Sequence, residues 1–207
     1  MKKTILLIAC LIFIYIFANN RHNDKIAFRI QTIKNDSIKR VKFTKDSIIR
    51  VKFVIDSIVE YKRKEFIKFM DKMALKESSN QYNIVNRLGY KGRYQMGGAA
   101  LKDLGIHGRK DFLINERLQD TAFISLCRIN KYRLRNYIPM FVGKTINGIE
   151  ITESGILAAA HLVGAKSVKD YFNSLGTIIR KDANNVSLEK YMDEFKGFEL
   201  DLIPQKQ

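Results

Sequence analysis

The chain has 207 residues, 46% of them apolar, with thirteen Phe, nine Tyr and only two Pro. This composition excludes a disordered or low-complexity protein, and the length allows one ordinary domain with a real core plus an N-terminal appendage. The net charge of +16 selects an anionic partner, whether nucleic acid, lipid headgroups or a wall polymer, and nothing finer.

Lys2 and Lys3 precede an uncharged run from Ile5 to Ala18, fourteen residues rich in Ile, Leu and Phe. That is the pattern of an export signal, and it predicts an exported chain of the periplasm or cell envelope. A bilayer core takes about 20 apolar residues, so residues 1–18 read as a signal peptide or a short membrane anchor. Ile16, three places before a cut at Ala18, makes a poor cleavage site. Leu7-Ile8-Ala9-Cys10 also looks like an acylation box, although only five apolar residues precede the cysteine. Arg21, Lys25 and Arg29 follow the run about as closely as Lys2 and Lys3 precede it, which argues against a simple outward orientation. With Cys10 inside this run, Cys127 has no disulfide partner within the folded domain.

Residues 19–61 are basic and repetitive. Asp-Ser-Ile recurs every ten residues at Asp36, Asp46 and Asp56, and the first two copies continue into Arg40-Val41-Lys42-Phe43 and Arg50-Val51-Lys52-Phe53. A ten-residue period permits helix or strand. Ile48, Val51, Ile55 and Ile58, spaced 3, 4, 3, favour a helical stalk with a short coiled-coil seam, which could also self-associate. Residues 19–64 hold 13 Lys/Arg against 5 Asp/Glu, either a solvated helix face or a contact for anionic lipid or wall polymer.

From residue 62 to 207 the pattern is that of a mainly α domain. Phe66, Met70, Met73 and Glu77 fall at i, i+4, i+7 and i+11, and Ser78-Ser79-Asn80 ends that helix. Residues 80–97, with their Gly and Tyr turns, predict a structured loop or small hairpin. Further helices are expected near Gly98 to Leu104, Asn115 to Tyr137, Thr152 to Gly164, Val168 to Leu175 and Ser187 to Lys196, with Thr152 as a helix entry and Gly164 as an exit.

Glu77 is the residue with chemical promise, because it breaks an apolar stripe where an ionised carboxylate is costly. Burial against Met73 and Phe66 and a place near a helix C-terminus both predict a carboxyl that holds its proton, as a general acid requires. A surface glutamate meeting Lys72, Lys76 or Arg93 in water is the competing reading. Cys127 reads as a buried structural thiol. There is no Gly-x-Ser-x-Gly elbow and no phosphate-cradling glycine loop. His22, His107 and His161 are the only histidines and show no zinc spacing, so no metal or other cofactor is expected.

Glu77-Ser78 at a helix end, then Gly92-Arg93-Tyr94-Gln95 opening the next helix, then an Ala-rich helix ending in Gly164, resembles the lytic transglycosylases of the lysozyme-like superfamily. The likeness covers Lys68 to Tyr171. It implies a lysozyme-like helical domain that cleaves peptidoglycan between N-acetylmuramic acid and N-acetylglucosamine, with Glu77 as sole acid and base and 1,6-anhydromuramyl ends as product. It also implies glycan contacts from Ser78 and Gln95. The family's Ala-Tyr-Asn element stands here as Ala160-His161-Leu162, so a His161 N–H would replace a tyrosine hydroxyl. Tyr82, Tyr90 and Tyr94 read either as rings that stack on sugars or as packing anchors. Asp103, Glu150 and Glu153 are available carboxyls, but none lies in a matching motif, so the two-carboxyl route of ordinary glycosidases is not favoured. The expected partners are peptidoglycan strands, with membrane contact through residues 5–18 and no nucleic acid. A hydrolytic lysozyme and a non-catalytic wall-binding protein are the alternatives.

Overall fold

The computed structural model describes residues 45–200. The expected leader at 1–18 and the stalk before residue 45, with its first repeat, lie outside the described residues. The described chain is mainly helical: α1 (Lys45–Ser78), α2 (Gly98–Asp103), a 3-10 turn (Phe112–Ile114), α3 (Glu116–Arg133), α4 (Ile138–Phe141), β1 (Thr145–Ile146), β2 (Ile149–Glu150), α5 (Glu153–Asn173) and α6 (Leu188–Glu194). None of these helices is long and apolar enough to cross a membrane.

The chain divides into two compact units, one ending at Glu60 and one running from Tyr61. In the first, the described residues are helical; Ile55 is buried and Val51 and Ile58 are half-buried, while Phe53 and Val54 are exposed. Val51, Ile55 and Ile58 of the expected seam are thus the more covered side of that stretch.

The second unit has two adjoining cores. One gathers Phe69 and Met73 of α1, Tyr94, Phe123 of α3, Leu157 and Ala158 of α5, and Tyr191 and Phe195. The other gathers Phe141, Ile156, Ala159, Tyr171, Phe172 and Leu188. The first half of α5 feeds both, so every residue from Ser154 to Ala160 is buried. A helix covered on all sides carries small residues, and the approach is closest at Gly155, where an added Cβ would lie 2.6 Å from the Met192 carbonyl oxygen of α6. Thr152 and Ser187 cap the two helices by accepting from Gly155 N and Lys190 N.

Three expectations need correction. The helix expected over 115–137 stops at Arg133, with Leu134 as its cap, because Pro139 near the start of α4 lacks an N–H and its ring clashes one turn back. Gly164, non-helical at φ 82°, is the exit that was expected, but no gap to Val168 follows: the next helical stretch begins at once, and the two read as one kinked helix. The hairpin β1–β2 was not expected, although Asn147-Gly148, both left-handed at φ 51° and 78°, is a strong short-range hairpin signal.

Cys127 is buried and unpaired, and burial pushes its thiol from 9.0 up to about 12. The stability contributed by the neutral thiol is complete below pH 9 and is lost as the pH rises from there towards 12. The urea midpoint is expected to fall through that window, and to fall less in Cys127→Ala. Equal falls in the two proteins would remove Cys127 as a cause.

Candidate active site

The site starts at the end of α1. Phe69, Met73 and Ala74 are fully buried and hold one face of the helix, and the next residues along it are Glu77 and Ser78, four positions on. The helix closes when Ser79 N donates to Leu75 O (3.1 Å) and Asn80 N to Ala74 O (3.0 Å). Ser79 and Asn80 are left-handed, at φ 52° and 65°, the geometry of a helix C-terminal cap. Glu77 therefore sits in a last turn whose direction is set on both sides.

The loop that follows is tied to the helices by side chains. The Ser78 hydroxyl donates to Arg93 O (2.7 Å) and accepts from Gln81 N (3.0 Å). Gln119 of α3 accepts from Arg93 N (2.8 Å) and donates to Tyr82 O (3.0 Å) and Phe112 O (2.8 Å). Its amide fills the space that a Cβ at Gly92 would need, 2.1 Å from such an atom. The Arg93 guanidinium donates to Asn80 (2.7 Å), Asp71 (2.7 Å), Asp120 (3.0 Å) and the Tyr94 hydroxyl (2.8 Å). Single bridges pair Val85 with Lys91 and Lys91 with Met96, so residues 80–97 form a braced, hairpin-like loop.

This bracing brings Glu77, Tyr90, Gln95 and His161 to one cavity of about 50 Å³, which Asn86 and Asp182 also line. Gln95 is left-handed at φ 45° and donates from Nε2 to Gly92 O (2.9 Å), leaving its side-chain oxygen and its second N–H as the groups it can offer the cavity. Tyr90 is exposed, and its ring lies against Gly97, 2.9 Å from where a Cβ would stand.

The Glu77 side chain is 15% exposed, and its Oε1 accepts from the Tyr191 hydroxyl at 2.7 Å. Burial, and then the charge of Glu77, push the Tyr191 hydroxyl far above the usual phenol range, so it remains a donor. His161 Nε2 lies 2.9 Å from Tyr94 O. A carbonyl only accepts, so Nε2 carries the hydrogen. The same nitrogen is 3.9 Å from Glu77 Oε1, beyond a hydrogen bond, and Nδ1 is buried without a partner. The imidazole N–H that was expected to orient Glu77 is thus spent on the Tyr94 carbonyl, and Tyr191 does the orienting. Tyr191→Phe is expected to cost about 1–2 kcal/mol of stability by freeing the carboxyl, read as a lower urea midpoint. An unchanged midpoint would show that Glu77 needs no such hold.

Two other expected contacts lie away from the cavity. Tyr94 is 1% exposed, stacks on Phe123 with centroids 4.2 Å apart and donates to Asp120 (2.8 Å); it is a core anchor and has no free face for a sugar. Ser78 is buried with its hydroxyl engaged as described, so it joins loop to helix. Tyr82 belongs to the same network, with Arg93 over its ring at 5.2 Å. Of the other carboxyls, Glu153 pairs with Lys131 (2.6 Å) and Asp103 with Arg133 (2.9 Å).

Tyr191 and Asp182 were not expected. Tyr191 reads as a core position of a helix with Leu188, Met192 and Phe195, and its contact with Glu77 spans 114 residues, so no local pattern reports it. Asp182 reads as a turn residue, and it is one: Oδ1 accepts from Val186 N (2.7 Å) and Asn184 N (3.0 Å). A second, wider cavity of about 650 Å³, lined also by Gly97 to Ala100, shares Tyr90, His161 and Asp182 with the first. Among the described residues no cluster of His, Cys, Asp or Glu is arranged to hold a metal ion.

No protein-family model, no curated protein and no solved structure matches this chain.

Proposed function

We propose that this protein is a lytic transglycosylase of the lysozyme-like superfamily, exported to the cell envelope, which cleaves peptidoglycan strands with Glu77 as its only acid and base. One observation carries the reading: Glu77, Gln95 and His161, which come from the three separate stretches that resemble that family, line one cavity, with the carboxyl held by the Tyr191 hydroxyl at 2.7 Å.

In this mechanism Glu77 protonates the oxygen linking N-acetylmuramic acid to N-acetylglucosamine as that bond breaks. The resulting carboxylate takes the proton from the muramyl 6-hydroxyl, whose oxygen bonds the anomeric carbon, so the product is a 1,6-anhydro ring and no water is consumed. Gln95 offers an acceptor to the sugar and Tyr90 an exposed ring face. Residues 1–18 act as signal or short anchor, and the basic stalk faces anionic lipid or wall polymer.

Asp182 favours a second reading, a hydrolytic lysozyme, because a second carboxyl in the cavity could activate water. Its two backbone donors and the Asn184 side chain at 3.2 Å commit it to its own turn, which argues for the one-carboxyl route. The test is release of soluble fragments from purified, insoluble peptidoglycan by the full chain. No release, with binding retained, would leave a non-catalytic wall-binding protein.

A further inference from the structure

Lys72 and Lys76 stand one turn apart on α1, just before Glu77. Both reach across to Glu194, the last residue of α6. Lys72 Nζ donates to the Glu194 carbonyl oxygen, and Lys76 Nζ pairs with the Glu194 carboxylate at Oε2. Lys72 also stands 5.2 Å and 5.4 Å from the ring centres of Phe195 and Phe198, and Lys76 stands 5.4 Å from that of Tyr191. Glu194 lies one turn after Tyr191, so the lysines fasten the part of α6 whose hydroxyl reaches Glu77 at 2.7 Å. Tyr191 is thereby gripped by consecutive residues of α1, at its ring by Lys76 and at its hydroxyl by Glu77. With seven residues, α6 is well below the length of about 12 at which a lone helix begins to hold itself, so its place against α1 depends on what it touches. Lys190 is a further cation at Glu194, 3.8 Å away, but it lies on α6 itself and ties nothing to α1. The Lys76 and Glu194 side chains are 30% and 31% exposed. A pair so open to water adds little to global stability, and its effect falls on placement instead.

We propose that Lys76 and Glu194 are positioning residues, whose ion pair keeps the Tyr191 hydroxyl on Glu77. The effect on turnover rests on the reading of Glu77 as the reacting group; the placement of Tyr191 does not.

The test uses the full chain. Its first readout is the Tyr191 hydroxyl proton in the NMR spectrum, assigned by its disappearance in Tyr191→Phe. A buried hydroxyl that donates to a carboxylate exchanges with water only when the contact opens. Lys76→Met keeps the stem and removes the charge, and it is expected to speed that exchange at least about tenfold by easing local opening. Lys76→Arg and Lys190→Met are expected to stay within about twofold of the wild type, since each leaves a cation of α1 on Glu194. Glu194→Gln, which removes the anion, is expected to act in the same direction as Lys76→Met. The second readout is turnover on peptidoglycan. Lys76→Met is expected to lower kcat about fivefold, as a small misplacement near the reacting group does, with KM within about twofold; in a Tyr191→Phe chain it should change kcat no further. Unchanged exchange in Lys76→Met, equal acceleration in Lys190→Met, or no slowly exchanging hydroxyl proton in the wild type would overturn the proposal. So would a loss of kcat in the Tyr191→Phe chain as large as in the wild type, because Lys76 would then act through something other than Tyr191. A wild type that releases no fragments, while exchange follows the expected pattern, would overturn the transglycosylase reading and leave this one standing.

Discussion

Glu77→Gln is expected to lower the release of glycan fragments by at least about a thousandfold while the fold is kept. An amide has the shape of the carboxyl but neither gives nor takes a proton in the relevant range, and proton transfer by a positioned side chain is worth about 10²–10⁴ in rate. Because the same group serves both steps of the proposed reaction, the loss belongs at the upper end. The fold is spared because a Gln oxygen still accepts from Tyr191, the one hydrogen bond recorded for the Glu77 side chain, and the apolar hold by Met73 and Ala74 is untouched. Turnover on purified peptidoglycan and a thermal melt, measured on one preparation, check both halves. A variant that keeps a tenth of the activity would take Glu77 out of the chemistry and turn attention to Asp182.

The second large effect is expected at Arg93→Met, and it falls first on stability. The guanidinium is 10% exposed, between Asp71 and Asp120, and stands over the rings of Tyr82 and Tyr94 at 5.2 Å. Burial opposes its charge, but Tyr94, Asp120, Tyr82 and Asp71 more than offset this and hold it protonated above the ordinary arginine range. Methionine keeps the stem and removes every donor, leaving Asp120 with two tyrosine hydroxyls and no cation. Breaking a buried ion pair costs about 3–5 kcal/mol; Asp71 and Asp120 are 58% and 34% exposed, so the lower figure applies. A loss of about 3 kcal/mol lowers the melting temperature by about 6–12 °C in a chain of this size. Activity should fall further than stability alone explains, since the Gly92-to-Gln95 loop that presents Gln95 is held through Arg93. An unchanged melt would mean that the network does not brace the loop.

What could be read from the sequence follows the range of each interaction. Helix starts at Asn115, Thr152 and Ser187 were legible because a cap is satisfied within three residues. The Phe66-to-Glu77 stripe was legible because burial repeats with the helical turn. The helix expected to reach Tyr137 overran its end, because Pro139 near the start of α4 breaks the helical hydrogen bonding one turn back. Among the site residues, Glu77, Tyr90, Gln95 and His161 share a cavity, whereas Tyr94 was misplaced, since a tyrosine in a Gly-rich loop can turn inwards as readily as outwards. What turns it is Asp120 and Arg93, and the Asp120 contact cannot be inferred from the loop alone. Tyr191 was invisible for the same reason on a longer scale, because its partner is 114 residues away.

The most direct test of a lone acid and base is to digest purified peptidoglycan with the full chain in water labelled with oxygen-18 and weigh the fragments. The account predicts fragments that end in 1,6-anhydromuramic acid and carry no label, since the muramyl 6-hydroxyl is the nucleophile. Reducing ends carrying one labelled oxygen would contradict it, as water would then be the nucleophile and Glu77 would need a second group, for which Asp182 is the other carboxyl that lines the cavity.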